Sequence, residues 1–404
     1  METARLILVI VLVIASGGSM LYWLVAMYRI ARTMSTIPTA RAGLALPVRP
    51  GTPLSVCIII PAHNEEDVIA GLVRSLRAQD YPAMRVVLAL DRCTDATLAA
   101  AREAIESDER FHVIEITECP VDWAGKVNAV RRGAESTAAQ DADLLLFADA
   151  DTLFDPACVR ATVAMLEHRN LDMLSLVSTL TATRWHEVLV QPAAGFELMR
   201  QYPLVSANRD TDRRAFANGQ YMLFRAAAYR AMGGHEAVHD ELLEDLALAR
   251  LAAHHNRRAG VFLADRMLTC RMYPDWPSFR RGWQRIYTEA ANCKPARLAE
   301  SAWRVRLTGA LAPLCPWALL ALALTLDRSD AGRVPLAVFG LLAGAVWAAG
   351  IAWVYRLSRA PVWAFPGHIA GSWLVARILS DAARDLRRGT PMRWGGREYV
   401  REVR

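Results

Sequence analysis

No Cys-x-x-Cys pair occurs in this chain. Its seven cysteines are scattered over 404 residues, which suggests neither a zinc site nor a disulfide framework and fits a reducing compartment. Charge is missing from three long stretches: Leu6 to Tyr28 holds none in 23 residues, and Leu307 to Leu326 and Val334 to Tyr355 are likewise uncharged. At about 1.5 Å rise per residue, each run can cross a hydrocarbon core of about 30 Å. A hydrophobic fraction of 53% and a mean hydropathy of +0.16 are high for a wholly soluble protein, and these runs account for the excess. A clear small-residue cleavage site is lacking after the first run, and the run exceeds the apolar core of a signal peptide. It therefore reads as an uncleaved anchor.

Only Arg5 precedes that anchor, whereas Arg29, Arg32, Arg41 and Arg49 follow it, so the positive-inside rule places the next domain in the cytoplasm, at the cell's inner membrane. Val362 to Ala376 is a shorter apolar stretch interrupted by Pro366, Gly367 and His368; a crossing and a re-entrant or interfacial segment both fit it. From Asp381 to Arg404 the tail carries seven Arg against four Asp and Glu. That bias favours a cytoplasmic end, hence an even number of crossings in the C-terminal region. The net charge of +6 and pI of about 9.1 need no nucleic acid, since arginines beside an anionic leaflet explain them.

Between the anchor and Leu307, strand-like runs alternate with helix-like stretches, which argues for a parallel sheet covered by helices. Val56 to Ile60 is β-branched and is expected to end at Pro61. Asn64, Glu65 and Glu66 follow, then Val68, Ile69, Leu72, Val73 and Leu76 at helical spacing. Arg85 to Leu90 reads as a second strand before the turn Asp91-Arg92-Cys93-Thr94-Asp95 and an Ala-rich helix over 96–105. Phe111 to Ile116 is a third strand, and Leu144 to Phe147 a fourth, covered on both faces.

That fourth strand runs into Asp149-Ala150-Asp151. Ligands of open parallel sheets bind beyond the carboxyl ends of the strands, where paired hard oxygens suit Mg²⁺ or Mn²⁺ shared with a diphosphate. A strand-end turn whose carboxylates cap a helix is the alternative. Two similar triplets, Asp141-Ala142-Asp143 and Asp210-Thr211-Asp212, read as solvated turns.

The ordered series Pro61-Ala62-His63-Asn64-Glu65-Glu66, Asp91 to Asp95, Gly125-Lys126-x-Asn128-Ala129, Asp149-Ala150-Asp151, Asn218-Gly219-Gln220 and Glu244-Asp245 resembles the family-2 glycosyltransferases that are membrane-bound, processive or lipid-modifying. The likeness spans about Leu54 to Ala290. It implies an α/β fold of GT-A type, a Rossmann-like mixed sheet, with one N-terminal and two to three C-terminal transmembrane helices. By that resemblance Ala62, Asn64, Glu65 and Asp91 hold the nucleoside, and Lys126 lies near the diphosphate. Asp149 and Asp151 hold Mg²⁺ or Mn²⁺, and Asp245 is the base that deprotonates the acceptor. Gly219 and Gln220 belong to an acceptor-side loop, and Glu244 stands beside the base.

Trp276, Phe279, Trp283, Ile286 and Tyr287 form an apolar stripe at helical spacing, which suggests an amphipathic helix at the membrane surface or an ordinary packed helix. Many relatives carry Gln/Arg-x-x-Arg-Trp here. In this chain Arg285 is followed by Ile286, and neither Gln nor Arg stands three residues before it. A processive polymer synthase is thereby disfavoured, while Trp283 and Arg285 stay candidates for acceptor binding. The terminal Trp394-Gly-Gly-Arg397-Glu-Tyr399 resembles a tail of hopanoid-associated and ceramide-type lipid glycosyltransferases.

The expected plan is thus an anchor over 1–30, a linker over 31–53 and a cytoplasmic catalytic domain over 54–272. An interfacial segment over 273–300, a transmembrane region over 305–380 and a basic tail over 381–404 follow. The resemblance implies inverting, metal-dependent transfer from a nucleotide-diphosphate-sugar donor to a lipid acceptor in the bilayer, with no nucleic acid partner. Two other readings are a processive polysaccharide synthase and a non-catalytic nucleotide-sugar-binding membrane subunit. His235 and His239, four apart after Gly233-Gly234, read as loop residues rather than a metal pair.

Overall fold

The computed structural model describes residues 2–47, 51–209, 214–394 and 397–403. Arg49, the Asp210 to Asp212 triplet and the two glycines of the tail motif lie outside them. The strands are β1 (Val56–Ala62), β2 (Met84–Asp91), β3 (Phe111–Ile116), β4 (Leu144–Phe147), β5 (Thr152–Phe154), β6 (Met173–Val177), β7 (Thr179–Leu180), β8 (Met222–Arg225), β9 (Ala259–Leu263), β10 (Leu268–Cys270), β11 (Met392–Trp394) and β12 (Arg397–Tyr399).

Seven of them make the central sheet, in the order β3-β2-β1-β4-β8-β6-β9. The half from β3 to β4 is parallel, but β8 runs antiparallel to both β4 and β6. The sheet is therefore mixed rather than uniformly parallel. Burial of β4 on both faces does not by itself report the direction of its neighbours, and all four of its residues are buried.

Period-2 alternation sends side chains of one strand to opposite layers. Val56, Ile58 and Ile60 join the core under the helices Ile69–Arg77, Thr97–Ile105 and Cys158–His168. Cys57 and Ile59 face the helices Gly125–Ala134 and Glu244–His254. Strand β1 also continues through Pro61 to Ala62, contrary to the expected stop. Its partner β4 ends at Phe147 opposite Ile59, while β2 continues alongside as far as Ala62. Ile59 accepts from the Ala148 N–H, so Pro61, two residues on, faces the side where the ladder has finished and a missing N–H costs no bond.

Among the described residues, three helices are long and apolar enough to cross a membrane: Thr3–Thr36, Pro295–Leu324 and Arg333–Leu357. Large apolar side chains such as Leu6, Ile14, Val334 and Leu342 lie exposed on them, a contiguous surface that suits lipid better than water. The second begins earlier than the uncharged run at Leu307. It is bent by a π-helical turn at Arg306–Leu311 and a 3₁₀ turn carrying Pro313. The first and third pack closely: a Cβ added at Gly350 would stand 2.7 Å from the Trp23 ring.

The stretch 362–376 is not among these spans. It divides into a 3₁₀ turn, Val362–Gly367, and the helix His368–Arg387. That helix buries Val375, Ala376 and Leu379 against Phe279, Trp283 and Tyr287. The stripe on Trp276–Ala290 is thus covered by protein at these three positions. Its neighbours Arg280 and Gln284 reach Asp381 (2.7 Å) and Asp385 (2.7 Å) on the packed helix.

Candidate active site

Strand ends bring most of the expected residues together. Beyond β4 the chain turns at Asp149, whose carbonyl accepts from Thr152 Oγ1 at 2.7 Å, and enters β5. A strand follows the triplet, so the helix-capping alternative for Asp149 and Asp151 is overturned. β10 pairs with β5, and Arg271 N donates to the Asp151 carbonyl at 3.0 Å, which fixes the turn from its far side. Asp143 of the other described triplet instead ties two strand starts together, accepting from the Ser55 N–H at 2.8 Å.

Lys126, in the first turn of the helix Gly125–Ala134, joins two acidic elements. Its Nζ lies 2.7 Å from Asp149 Oδ1 and 2.5 Å from Glu244 Oε1. Glu244 and Asp245 open the helix Glu244–His254, so the carboxylates meet the positive end of its dipole. Asp245 Oδ2 accepts from Gly219 N at 2.8 Å, and its Oδ1 accepts from Leu246 N at 2.7 Å. A Cβ at Gly219 would sit 3.3 Å from both Asp245 Oδ2 and Lys126 Nζ. The close approach of this glycine is therefore to the Asp245 carboxylate and the Lys126 ammonium.

Charge is distributed unevenly. Burial, then the charge of Glu244, pushes the Asp245 carboxyl up to about 6. Burial also favours the neutral form of Glu244, but Lys126 outweighs it and holds that carboxyl below the usual range. Burial and then Asp149 push Asp151 up to about 7, while burial followed by Asp151 and Asp149 lifts Glu65 to about 8. Three carboxyl groups thus crowd one place, and Asp151 Oδ1 is buried without a hydrogen-bond partner among the described residues. Hard oxygens in that state fit a hard divalent cation. Among the described residues no three His, Cys, Asp or Glu side chains form a metal cage.

The residues expected to hold the nucleoside gather at the ends of β1 and β2. Asn64, at φ 57°, accepts from Thr94 N at 2.8 Å and so joins the two strand-end turns. Ala62 is buried beside them. The Asp91 carboxylate is held by Arg92 in a fork, at 2.9 Å from Nε and 2.6 Å from Nη2.

Gln220 is buried and accepts from Ser178 Oγ and from Asn218 Nδ2, which makes it a support of its own loop. Arg285 Nη1 donates to the Leu242 carbonyl at 2.8 Å, steadying the approach to Glu244, and Trp283 is buried in the row from Phe279 to Tyr287.

One residue set aside in the sequence returns. His235 is 1% exposed, its Nδ1 lies 2.8 Å from Tyr229 Oη, and it forms the floor of a small void with Lys126, Asp149 and Glu244. His239 is separate, with Nδ1 3.2 Å from the Glu236 carbonyl. The pairing at four residues carried no signal for this; burial under the acidic motif did.

A cavity of about 1040 Å³ opens from the same residues. Lys126, Asp149, Gly219 and Asp245 line one part, and Leu21, Val25 and Ile30 of the first helix and Trp353, Val354 and Leu357 of the third line another.

The model for glycosyltransferase like family 2 matches residues 53–288, more than half of the chain. The chain belongs to that family. Family-2 membership carries the GT-A architecture. A 4,4'-diaponeurosporenoate glycosyltransferase of Staphylococcus aureus is 28% identical over 255 residues, covering 61% of this chain and 64% of that protein. The match thus spans less than two thirds of the relative. Among solved structures, the mannosyltransferase PcManGT from Pyrobaculum calidifontis in complex with GDP-Man and Mn²⁺ aligns with a TM-score of 0.46 and 17% identity, over 94% of this chain and 98% of that one. Staphylococcus aureus TarS 1-349 aligns at 0.41 and 15%, over 86% and 96%.

Proposed function

We propose that this family-2 enzyme moves one sugar from a nucleotide-diphosphate-sugar to a membrane lipid, with inversion and with a divalent cation, at the cytoplasmic face. The observation that carries this reading is the cavity: it joins Asp245 and Lys126 to apolar side chains of two membrane helices. An acceptor with its polar end at Asp245 and its chain against Leu21, Val25 and Leu357 fits that shape. The relative named as a 4,4'-diaponeurosporenoate glycosyltransferase adds support for a lipid acceptor. Arg29, Arg32 and Arg41 after the first helix support the cytoplasmic side.

Asp149 and Asp151 would hold Mg²⁺ or Mn²⁺. The cation supplies Lewis-acid stabilisation of the departing diphosphate. Lys126 adds a compact positive charge on the same side. Asp245 takes the proton of the acceptor hydroxyl as its oxygen bonds to the anomeric carbon and the bond to the diphosphate breaks. One displacement from the opposite face inverts that carbon.

Membranes holding the protein are expected to release nucleoside diphosphate from a sugar donor only with Mg²⁺ or Mn²⁺ present. Lipids from cells with the gene product should contain a species heavier by one hexose than in cells without it. Undiminished release in EDTA would sink the metal assignment, and a ladder of many hexoses would sink single transfer.

The raised carboxyl of Asp245 sets a pH dependence. A base acts only when deprotonated, so kcat/KM should fall as pH drops through about 6. A rate constant down to the ordinary aspartate range near 4 would contradict an elevated base.

A further inference from the structure

The C-terminal tail has no part in the chemistry above, yet it lies beside the donor residues. After the helix His368–Arg387 the chain doubles back as the antiparallel hairpin β11–β12. Met392 and Tyr399 pack against the core that contains Val127 and Val130 of the Lys126 helix. Tyr399 Oη stands 3.4 Å from Gly125 N, from which it accepts. Gly125 immediately precedes Lys126, and a Cβ placed on it would lie 2.8 Å from Arg92 Nη2 and 3.2 Å from Asp91 Oδ2. The hairpin thus meets the site at the point where the diphosphate-side helix touches the nucleoside-side turn.

Two ion pairs hold it there. Arg401 Nε lies 2.6 Å from Glu289 Oε1 on the helix Trp276–Ala290, and its Nη2 lies 3.5 Å from Glu241 Oε2, three residues before Glu244. The Arg401 side chain is only 17% exposed, so this anchor is better shielded from solvent than a surface pair. One short segment therefore spans the Lys126 helix, the approach to the acidic motif and the aromatic helix.

The Tyr399 hydroxyl accepts from a backbone N–H, and the guanidinium of Arg92 lies within electrostatic reach. The phenolic proton has no acceptor given to it among the described residues and is left to donate. A donor placed next to Lys126 suits an anion, and charge-assisted hydrogen bonds to phosphate are the stronger kind.

We propose that the C-terminal hairpin completes the donor site, with Tyr399 Oη donating to the diphosphate of the nucleotide-sugar and Arg401 acting as a positioning residue that holds the hairpin in place. This rests on the reading of Lys126 and Asp149 as the diphosphate side of the site.

The test uses the full chain in detergent micelles, titrated calorimetrically with UDP and with GDP in MnCl₂. Tyr399→Phe keeps the ring and loses only the hydroxyl, so its melting temperature should match wild type. The diphosphate that wild type binds should bind about tenfold more weakly. Arg401→Gln should raise the donor KM by a similar factor with kcat at saturating donor little changed, and Arg401→Lys should recover part of the loss. Equal affinity of wild type and Tyr399→Phe, or a loss in Arg401→Gln confined to kcat, overturns the proposal. Wild type that binds neither UDP nor GDP would overturn the donor-site reading itself and the hairpin's role with it.

Discussion

Asp245→Asn is expected to slow sugar transfer by roughly 10²- to 10⁴-fold, the usual share of a positioned acid or base, while nucleoside diphosphate binding stays within about twofold, well under the 1.4 kcal/mol that a tenfold change represents. The substitution is nearly isosteric, and the amide oxygen can still accept from Gly219 N, the bond that now fixes Asp245 at 2.8 Å. What disappears is the ability to take a proton, together with the acceptance from Leu246 N, which an amide NH₂ cannot provide. The nucleoside-side contacts among Asn64, Thr94, Asp91 and Arg92 involve none of its atoms, so donor binding has no reason to change. Single-turnover transfer measured beside calorimetric binding separates the two. Normal turnover would move the base elsewhere, and Glu244 is then poorly suited to replace it, because Lys126 holds that carboxylate ionised and occupied at 2.5 Å.

Such a separation of roles was only partly legible in the sequence. The strands β3 and β4 follow the expected bounds, since each is a short run rich in apolar residues between turn residues. Pro61 was misread because its cost depends on which neighbouring strand has already ended, a fact about β4 nearly ninety residues away. The reversal of β8 was invisible for a similar reason: a strand covered on both faces looks alike in either direction. Asp149 and Asp245 were legible as motifs. That one lysine joins Asp149 and Glu244 was not, because 118 positions separate Lys126 from Glu244. Tyr399 is the extreme case, meeting Gly125 across 274 residues. Contacts of that separation are set by the packing of whole elements, and local periodicity carries no record of them.

The lysine bridge leads to the second large effect. Lys126→Met keeps an unbranched side chain, one atom shorter, and removes its charge, leaving Glu244, 4% exposed, without the cation that lies 2.5 Å away. Breaking a buried ion pair from one side costs about 3–5 kcal/mol. The Lys126 and Asp149 side chains are 29% and 27% exposed, so screening brings the expected loss down to about 2–3 kcal/mol. A domain of this size should then melt on the order of 5–10 °C lower, and donor KM should rise because the diphosphate loses a positive neighbour. The two consequences can be pulled apart with Glu244→Gln. If the ion pair is the cause of the instability, the double variant Lys126→Met/Glu244→Gln removes both charges and regains most of the melting temperature. Donor affinity does not return with it, since a neutral glutamine restores no charge near the phosphates. A double variant no more stable than Lys126→Met alone would show that the lysine acts through packing rather than through its bridge to Glu244.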